Sequence, residues 1–290
     1  MNSDFKAQSN LMKISFIIAI ILLLVKVIAT VKTGSSSLFS DAVEAATHTL
    51  AVAFAWWSLH ISFKPADKEH SFGHDKIAFV SEGVEGGMVV LASLFIIWES
   101  IRHLIVGGDI SNALLGIVIC AFAVIVNLML GCSLIKLGKK NNSKILIADG
   151  KHVLTDVWTS GGALIAIVLV HFTHIWWIDP IIAILCGFNI LHIGVVLIKQ
   201  SYTGLLDEVD LEQIKIIEDI LSKETSDRNL TYHALRYRHS GHKTWIEFHL
   251  CFDKNLDVNT AHDLAYEIET ALKKSLGKNT QVISHLEPNL

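Results

Sequence analysis

Six stretches of the chain are apolar almost end to end, approximately Leu11 to Val31, Leu38 to Ser62, Ile77 to Ile105, Ala113 to Leu137, Ile145 to Phe172 and Ile175 to Ile198. Each reaches the roughly 20 residues that a helix needs to cross the hydrocarbon core of a bilayer. The first starts too late and runs too long for a cleaved signal peptide. Beyond Gln200 the pattern changes to that of a soluble domain. Asp210 to Leu221 repeats at helical spacing, with Leu211, Ile214, Ile217, Ile220 and Leu221 on one side. Thr244 to Phe252 alternates instead, sending Ile246, Phe248, Leu250 and Phe252 to one face and Trp245, Glu247 and His249 to the other. A turn at Ser240-Gly-His242 joins it to a preceding strand, Tyr232 to Arg238. Asn259 is placed to cap a second helix running to about Leu276, and Thr280 to Leu286 forms a last strand. The pattern therefore predicts a six-helix membrane domain over residues 1–205 and an α+β domain of order αββαβ over residues 206–290, with its helices on one sheet.

Composition agrees with a polytopic membrane protein, since 51% of the 290 residues are hydrophobic. The formal net charge of -4 is small and argues against a nucleic-acid partner. Lysines collect before the first segment, between the second and third, between the fourth and fifth, and after the sixth. The positive-inside rule then places both termini in the cytoplasm. Lys26, near the outer end of the first apolar run, is expected to snorkel to the headgroups. Cys120, Cys132, Cys186 and Cys251 lie far apart with no C-x-x-C pair; they imply no disulfide framework and are expected to be packing residues.

Chemistry enters through ionisable residues inside the apolar runs, where charge is costly and a function is the default reading. Glu44 and His48 lie one helical turn apart in the second segment, and His152 and Asp156 do the same in the fifth. Two such pairs supply two nitrogens and two carboxylates, a set suited to a four-coordinate divalent ion, zinc above all. Asp41, a turn before Glu44, is a reserve ligand or an entry carboxylate. In the loop after the second segment, Asp67, His70 and His74 are spaced for one loop to wrap an ion, with Gly73 allowing a turn between the histidines. The soluble domain carries a third set, His233, His249, His262, His285 and Glu287. Gly83, Gly86, Gly87, Gly161 and Gly162 are expected to allow close helix packing.

At these residues the sequence resembles the cation diffusion facilitator family of divalent-metal transporters over nearly its whole length. The likeness rests on Leu22-Leu-Leu-Val-Lys26 followed by Thr33-Gly-Ser-Ser, on Ser40-Asp-Ala-Val-Glu44, on Pro65-Ala-Asp67 with His70-Ser-Phe-Gly-His74, on His152 with Asp156, on Asp179-Pro180 and on the tail ending His285-Leu-Glu-Pro288. The resemblance implies a homodimer of six-helix units in the lipid bilayer of a bacterial inner membrane, each with a ferredoxin-like cytoplasmic domain. It implies a transport site at Glu44, His48, His152 and Asp156, a loop site at Asp67, His70 and His74, and a regulatory tail site at His233, His249, His262, His285 and Glu287. It further implies that Lys76 and Asp207 pair to hold the monomers together at the membrane surface. Where the family has His or Asp, this chain has Glu44, and where it has Asp, this chain has His48.

The expected activity is export of Zn2+, or of Fe2+, Mn2+, Co2+ or Cd2+, in exchange for protons by alternating access. Protons and metal compete for the same lone pairs, so acid outside would release the ion. The competing expectations are an intramembrane metal-dependent hydrolase, which lacks an H-E-x-x-H or comparable base beside the ligands, and a passive metal channel or sensor.

Overall fold

The structure is a computed structural model that describes residues 3–62, 64–107, 112–140, 144–240, 243–277 and 279–289. Its helices are α1 (Ser3–Thr33), α2 (Ser36–Ser62), α3 (Ile77–Val106), α4 (Ala113–Lys140), α5 (Lys144–Thr173) and α6 (Ile178–Leu205). They are followed by α7 (Leu211–Ser226), β1 (Thr231–Ser240), β2 (Lys243–Phe252), α8 (Val258–Leu276) and β3 (Thr280–Pro288). The chain divides into two compact units, Met1–His60 with Ser81–Lys199, and Ile61–Val80 with Gln200–Leu290.

In the first unit, α1, α3, α4, α5 and α6 each contain a run long and apolar enough to cross a membrane. Helix α2 has the length, but Ser40, Asp41, Glu44, Thr47, His48 and Thr49 interrupt its apolar run. Those residues turn inward: Ser40, Asp41, Thr47, His48 and Thr49 are all buried. Large apolar side chains point outward instead, among them Leu91, Met129 and Leu185, as a helix surrounded by hydrocarbon requires.

Close packing of this bundle rests on particular glycines. A Cβ on Gly86 of α3 would lie 2.9 Å from the carbonyl oxygen of Gly194, and one on Gly194 of α6 would lie 3.0 Å from the Val90 nitrogen. Helices α4 and α5 cross in the same way at Gly131 and Gly150, where a Cβ on Gly150 would meet the Gly131 oxygen at 3.0 Å. Of the glycines expected in this role, Gly86 fills it, whereas Gly87 and Gly161 face open space and Gly162 makes an ordinary contact with Cys186. The difference is one of direction around the helix, which sequence spacing alone does not give.

The Thr33-Gly-Ser-Ser stretch joins α1 to α2. Gly34 takes φ +69° and its N–H donates to the Thr30 carbonyl, ending α1 in the left-handed conformation that glycine tolerates. Ser35 then caps α2, its hydroxyl accepting from the Leu38 N–H. Asp179, at the start of α6, puts its carboxylate against the same helix end. It accepts from the Ser36 N–H at 2.5 Å, the Ser35 hydroxyl at 2.7 Å and the Ser37 N–H at 3.2 Å. A fully buried anion at a helix N-terminus is stabilised by the helix dipole, which gives Asp179-Pro180 a physical role. His103, in the last turn of α3, hydrogen-bonds the Ser36 hydroxyl at this junction.

In the second unit, β1 and β2 run antiparallel and β3 joins β2 in parallel, giving the order β1-β2-β3. Parallel neighbours need a crossover, and α8 supplies it. Ile217 and Leu221 of α7 pack with Ala261, Ala265, Ile268 and Leu272 of α8 onto Ile246, Phe248 and Leu250 of β2 and Val282 of β3. This is the expected αββαβ layer. Two details differ. Leu211 is 79% exposed because α7 meets the sheet only from its second turn. The cap of α8 is Asp257 rather than Asn259, and it accepts from the N–H groups of Asn259 and Thr260. The expected turn at 240–242 lies partly outside the described residues, although Ser240 pairs with Lys243 as a short hairpin requires.

Candidate metal sites

Helix α2 carries Glu44 and His48 on successive turns, and α5 brings Asp156 against them. His48 Nδ1 stands 3.5 Å from Asp156 Oδ2, with 9% and 6% of these side chains exposed. Glu44, His48 and Asp156 line one cavity of about 170 Å³, with Thr47, Thr155 and Ile193 among its walls. One carboxylate oxygen of Glu44, Oε2, is buried with no hydrogen-bond partner among the described residues. A buried bare oxygen is costly unless a cation or proton meets it. His152 belongs to α5, but its side chain lies outside the described residues, so three of the four expected donors are seen together.

The surroundings of this cavity depart from expectation in two ways. Lys26 does not snorkel. It is 3% exposed and its Nζ donates to Asp41 Oδ1 at 2.8 Å and to the Ser160 hydroxyl at 3.0 Å. Asp41 is therefore engaged by α1 and α5 instead of standing in reserve beside Glu44. A basic residue can avoid hydrocarbon either by reaching water or by finding a buried carboxylate, and the second solution requires a neighbouring helix. The second departure is Glu85 of α3, which lines the same cavity as Glu44 and Asp156 and which ligand-pair spacing did not single out. An acid in the middle of an apolar run was the available signal.

In the loop between α2 and α3, His70 Nδ1 lies 3.2 Å and His74 Nε2 lies 3.4 Å from the Asp67 carboxylate. The donor atoms of all three lie within 4.8 Å of one another, and the two rings are 4.4 Å apart. The loop shapes itself for this: Asp67 Oδ1 accepts from the N–H groups of Glu69 and His70, and Gly73 turns the chain at φ +91°. The His70 N–H above all, with the His70 ring and the Glu69 N–H, holds the Asp67 carboxyl below its ordinary range, outweighing its slight desolvation. The loop is moored to the sheet. Phe72 meets Trp245 edge-on at 5.3 Å, Arg238 lies 4.7 Å over the Phe72 ring, and Lys243 Nζ reaches Asp75 at 2.9 Å.

On the face of the sheet away from α7 and α8, register builds the third cluster. His233 pairs with His249 and His249 with His285, so three imidazoles form one row across the strands. Adjacent rings are 4.9 Å apart. Glu287 reaches His249 Nδ1 at 2.9 Å, His233 Nε2 at 3.3 Å and His285 Nε2 at 3.6 Å. A shift in register between His233 and Arg236, with Ala234 at φ 51°, keeps His233 on this face. Cys251, read from the sequence as a packing residue, belongs to this group: its Sγ is 3.5 Å from His233 Nδ1. Donor atoms of His233, Cys251 and Glu287 lie within 4.8 Å of one another. His262 stands apart, exposed on α8, which covers the sheet's apolar face. Lys76 Nζ and Asp207 Oδ1 are 2.9 Å apart within the chain.

A bundle of apolar helices that turns a carboxylate–imidazole set into its own interior defines an integral membrane protein that handles cations. The chain belongs to the cation efflux family of divalent-metal transporters: residues 12–206 match the cation efflux transmembrane domain and residues 209–289 the cytoplasmic domain of cation efflux proteins. It is 34% identical to "Uncharacterized transporter sll1263" of Synechocystis, over 88% of this chain and 82% of that one. It is 27% identical to the cation-efflux pump FieF of Shewanella oneidensis, over 93% and 90% of the two chains. It is 28% identical to the manganese efflux system protein MneP of Bacillus subtilis, over 95% and 94%.

Proposed function

We propose that the protein is a proton-coupled antiporter that exports a divalent transition-metal ion, zinc foremost, from the cytoplasm by alternating access as a homodimer. The observation that carries this reading is the convergence of Glu44, His48 and Asp156 on one cavity in the membrane unit, with Glu44 Oε2 lacking a hydrogen-bond partner among the described residues. His152, one turn before Asp156, would complete four donors of mixed nitrogen and oxygen, a set suited to zinc and also open to manganese, ferrous iron, cobalt and cadmium. Metal needs neutral imidazole and ionised carboxylate, so protons entering from an acidic outside displace it and their loss to the cytoplasm restores the site. In this reading residues 1–205 are the transport domain and residues 206–290 the dimerising cytoplasmic domain, both termini lie in the cytoplasm of a bacterial inner membrane, and Lys76 with Asp207 braces the dimer.

The loop trio and the tail cluster present donors of the types that bind borderline divalent ions, at separations one ion can span. Metal held there would fasten the loop and the tail face and so bias the dimer between its shapes.

Inverted membrane vesicles test the proposal. Zinc accumulation should rise when a pH gradient is imposed and collapse when it is dissipated, and Asp156→Ala should abolish it while the dimer persists in size-exclusion with light scattering. Accumulation indifferent to the gradient would remove the coupling, and parental flux in Asp156→Ala would remove the site.

A further inference from the structure

Lys26, Asp41 and Ser160 form a closed triangle between α1, α2 and α5. The ammonium donates to Asp41 Oδ1 and to the Ser160 hydroxyl, and the Ser160 hydroxyl donates to the same Asp41 oxygen at 2.5 Å. The residues are 3%, 2% and 0% exposed. Asp41 precedes Glu44 by three residues, so both project from one side of α2. Its second oxygen, Oδ2, is buried with no hydrogen-bond partner among the described residues. Lys26 also shares a small recess with His48 and Asp156.

A carboxylate one turn from the cation-binding pair, with one oxygen bare, has the chemistry of an additional metal ligand. Added carboxylate charge tightens the hold on a divalent ion, and a transporter that binds too tightly does not let go. We propose that Lys26 is a resident counter-cation: it occupies Asp41, keeps that carboxylate out of the metal's coordination shell, and cancels one negative charge beside the site so that the ion can leave. Lys26 is thus a positioning residue for release that acts through Asp41. Ser160 fixes the carboxylate's rotamer from α5, the helix that also bears Asp156. The inference rests on the assignment of Glu44, His48 and Asp156 as the transport site.

The test is zinc transport by the full chain in inverted vesicles, read as KM and turnover separately. With Asp41 released, Lys26→Met should lower KM at least about tenfold and lower turnover at least about tenfold, since the extra ligand favours the bound ion. Removing both charges in Lys26→Met/Asp41→Asn should return both quantities to within about threefold of the parent, because the uncompensated buried charge is gone. A Lys26→Met chain that fails to reach the membrane while the double variant does so and transports upholds the same claim. Unchanged KM in Lys26→Met overturns it, as does a double variant that keeps the single variant's defect or is not recovered. Asp156→Ala separates the two readings: if that variant transports normally the site assignment fails, whereas loss in Asp156→Ala with no effect in Lys26→Met defeats the counter-cation alone.

Discussion

A single carboxylate at the head of α8 shows how a polar side chain acts in this protein. Asp257 accepts from the Thr260 hydroxyl at 2.5 Å and from the Thr260 and Asn259 N–H groups at 3.1 and 3.0 Å. The Thr260 hydroxyl first, then these backbone donors, hold the Asp257 carboxyl below its ordinary range. A group whose folded pKa is depressed contributes stability that is fully present above its unfolded value and is lost as pH falls through the folded one. The first turn of α8 should therefore keep its protection against hydrogen exchange through neutral and mildly acid pH and lose it only below the ordinary aspartate range. Asp257→Ala should remove that protection at neutral pH, and Asp257→Asn, which still accepts at a cap, should retain most of it. Exchange measured at the Ala261 amide, whose N–H donates to the Asp257 carbonyl, checks both.

Between elements, the informative residues are glycines that let backbones touch. Gly86 and Gly194 bring α3 against α6, while Gly87 beside them faces open space. Gly194→Leu should force the helices apart and destabilise the bundle by about 1–3 kcal/mol, the usual cost of overpacking. Gly87→Ala should leave transport intact and stabilise α3 by up to about 1 kcal/mol through helix propensity. Thermal denaturation in detergent, followed by α-helical circular dichroism, should move in opposite directions for the two variants. The tail has the complementary kind of contact. Phe248 is 1% exposed between the sheet and its helices, and Phe248→Ala should cost about 3–5 kcal/mol by emptying that core, read as a lower denaturation midpoint of the cytoplasmic unit.

Across the whole molecule, the loop between α2 and α3 belongs with the soluble unit rather than standing free. Residues 61–80 group with the tail, held by Phe72 on Trp245, by Arg238 over both rings and by the ion pair of Asp75 with Lys243. That mooring presents Asp67, His70 and His74 on a firm support although the first two are half exposed. Trp245→Ala should loosen the loop and, on the proposed function, weaken zinc binding by its trio about tenfold, the loss of an aromatic contact and its order being worth about 1.4 kcal/mol. The tail cluster should be unaffected, since Trp245 lies four residues before His249 on β2. Zinc titration of the full chain, with and without His70→Ala, assigns the change to the loop.

Periodicity alone was enough to mark the membrane helices, the αββαβ order and the one-turn spacing of Glu44 and His48 on α2, because burial in hydrocarbon or against a sheet imposes a period on every residue of an element. The loop trio was legible for a similar reason: its donors are neighbours in the chain. Contacts between elements were not legible in this way. Nothing local to Lys26 distinguishes a side chain reaching the headgroups from one bound to Asp41 and Ser160, and the choice depends on which faces of α1, α2 and α5 meet. Cys251 alternates with the β2 core residues, and only its register with β1 and β3 sets it beside His233 and Glu287. Glu85 carried the signal of an acid inside an apolar run, but only the packing of α3 sets it on the cavity shared by Glu44 and Asp156. A period records which side of an element is buried; which residue of another element arrives there is decided by packing distances that the one-dimensional pattern does not contain.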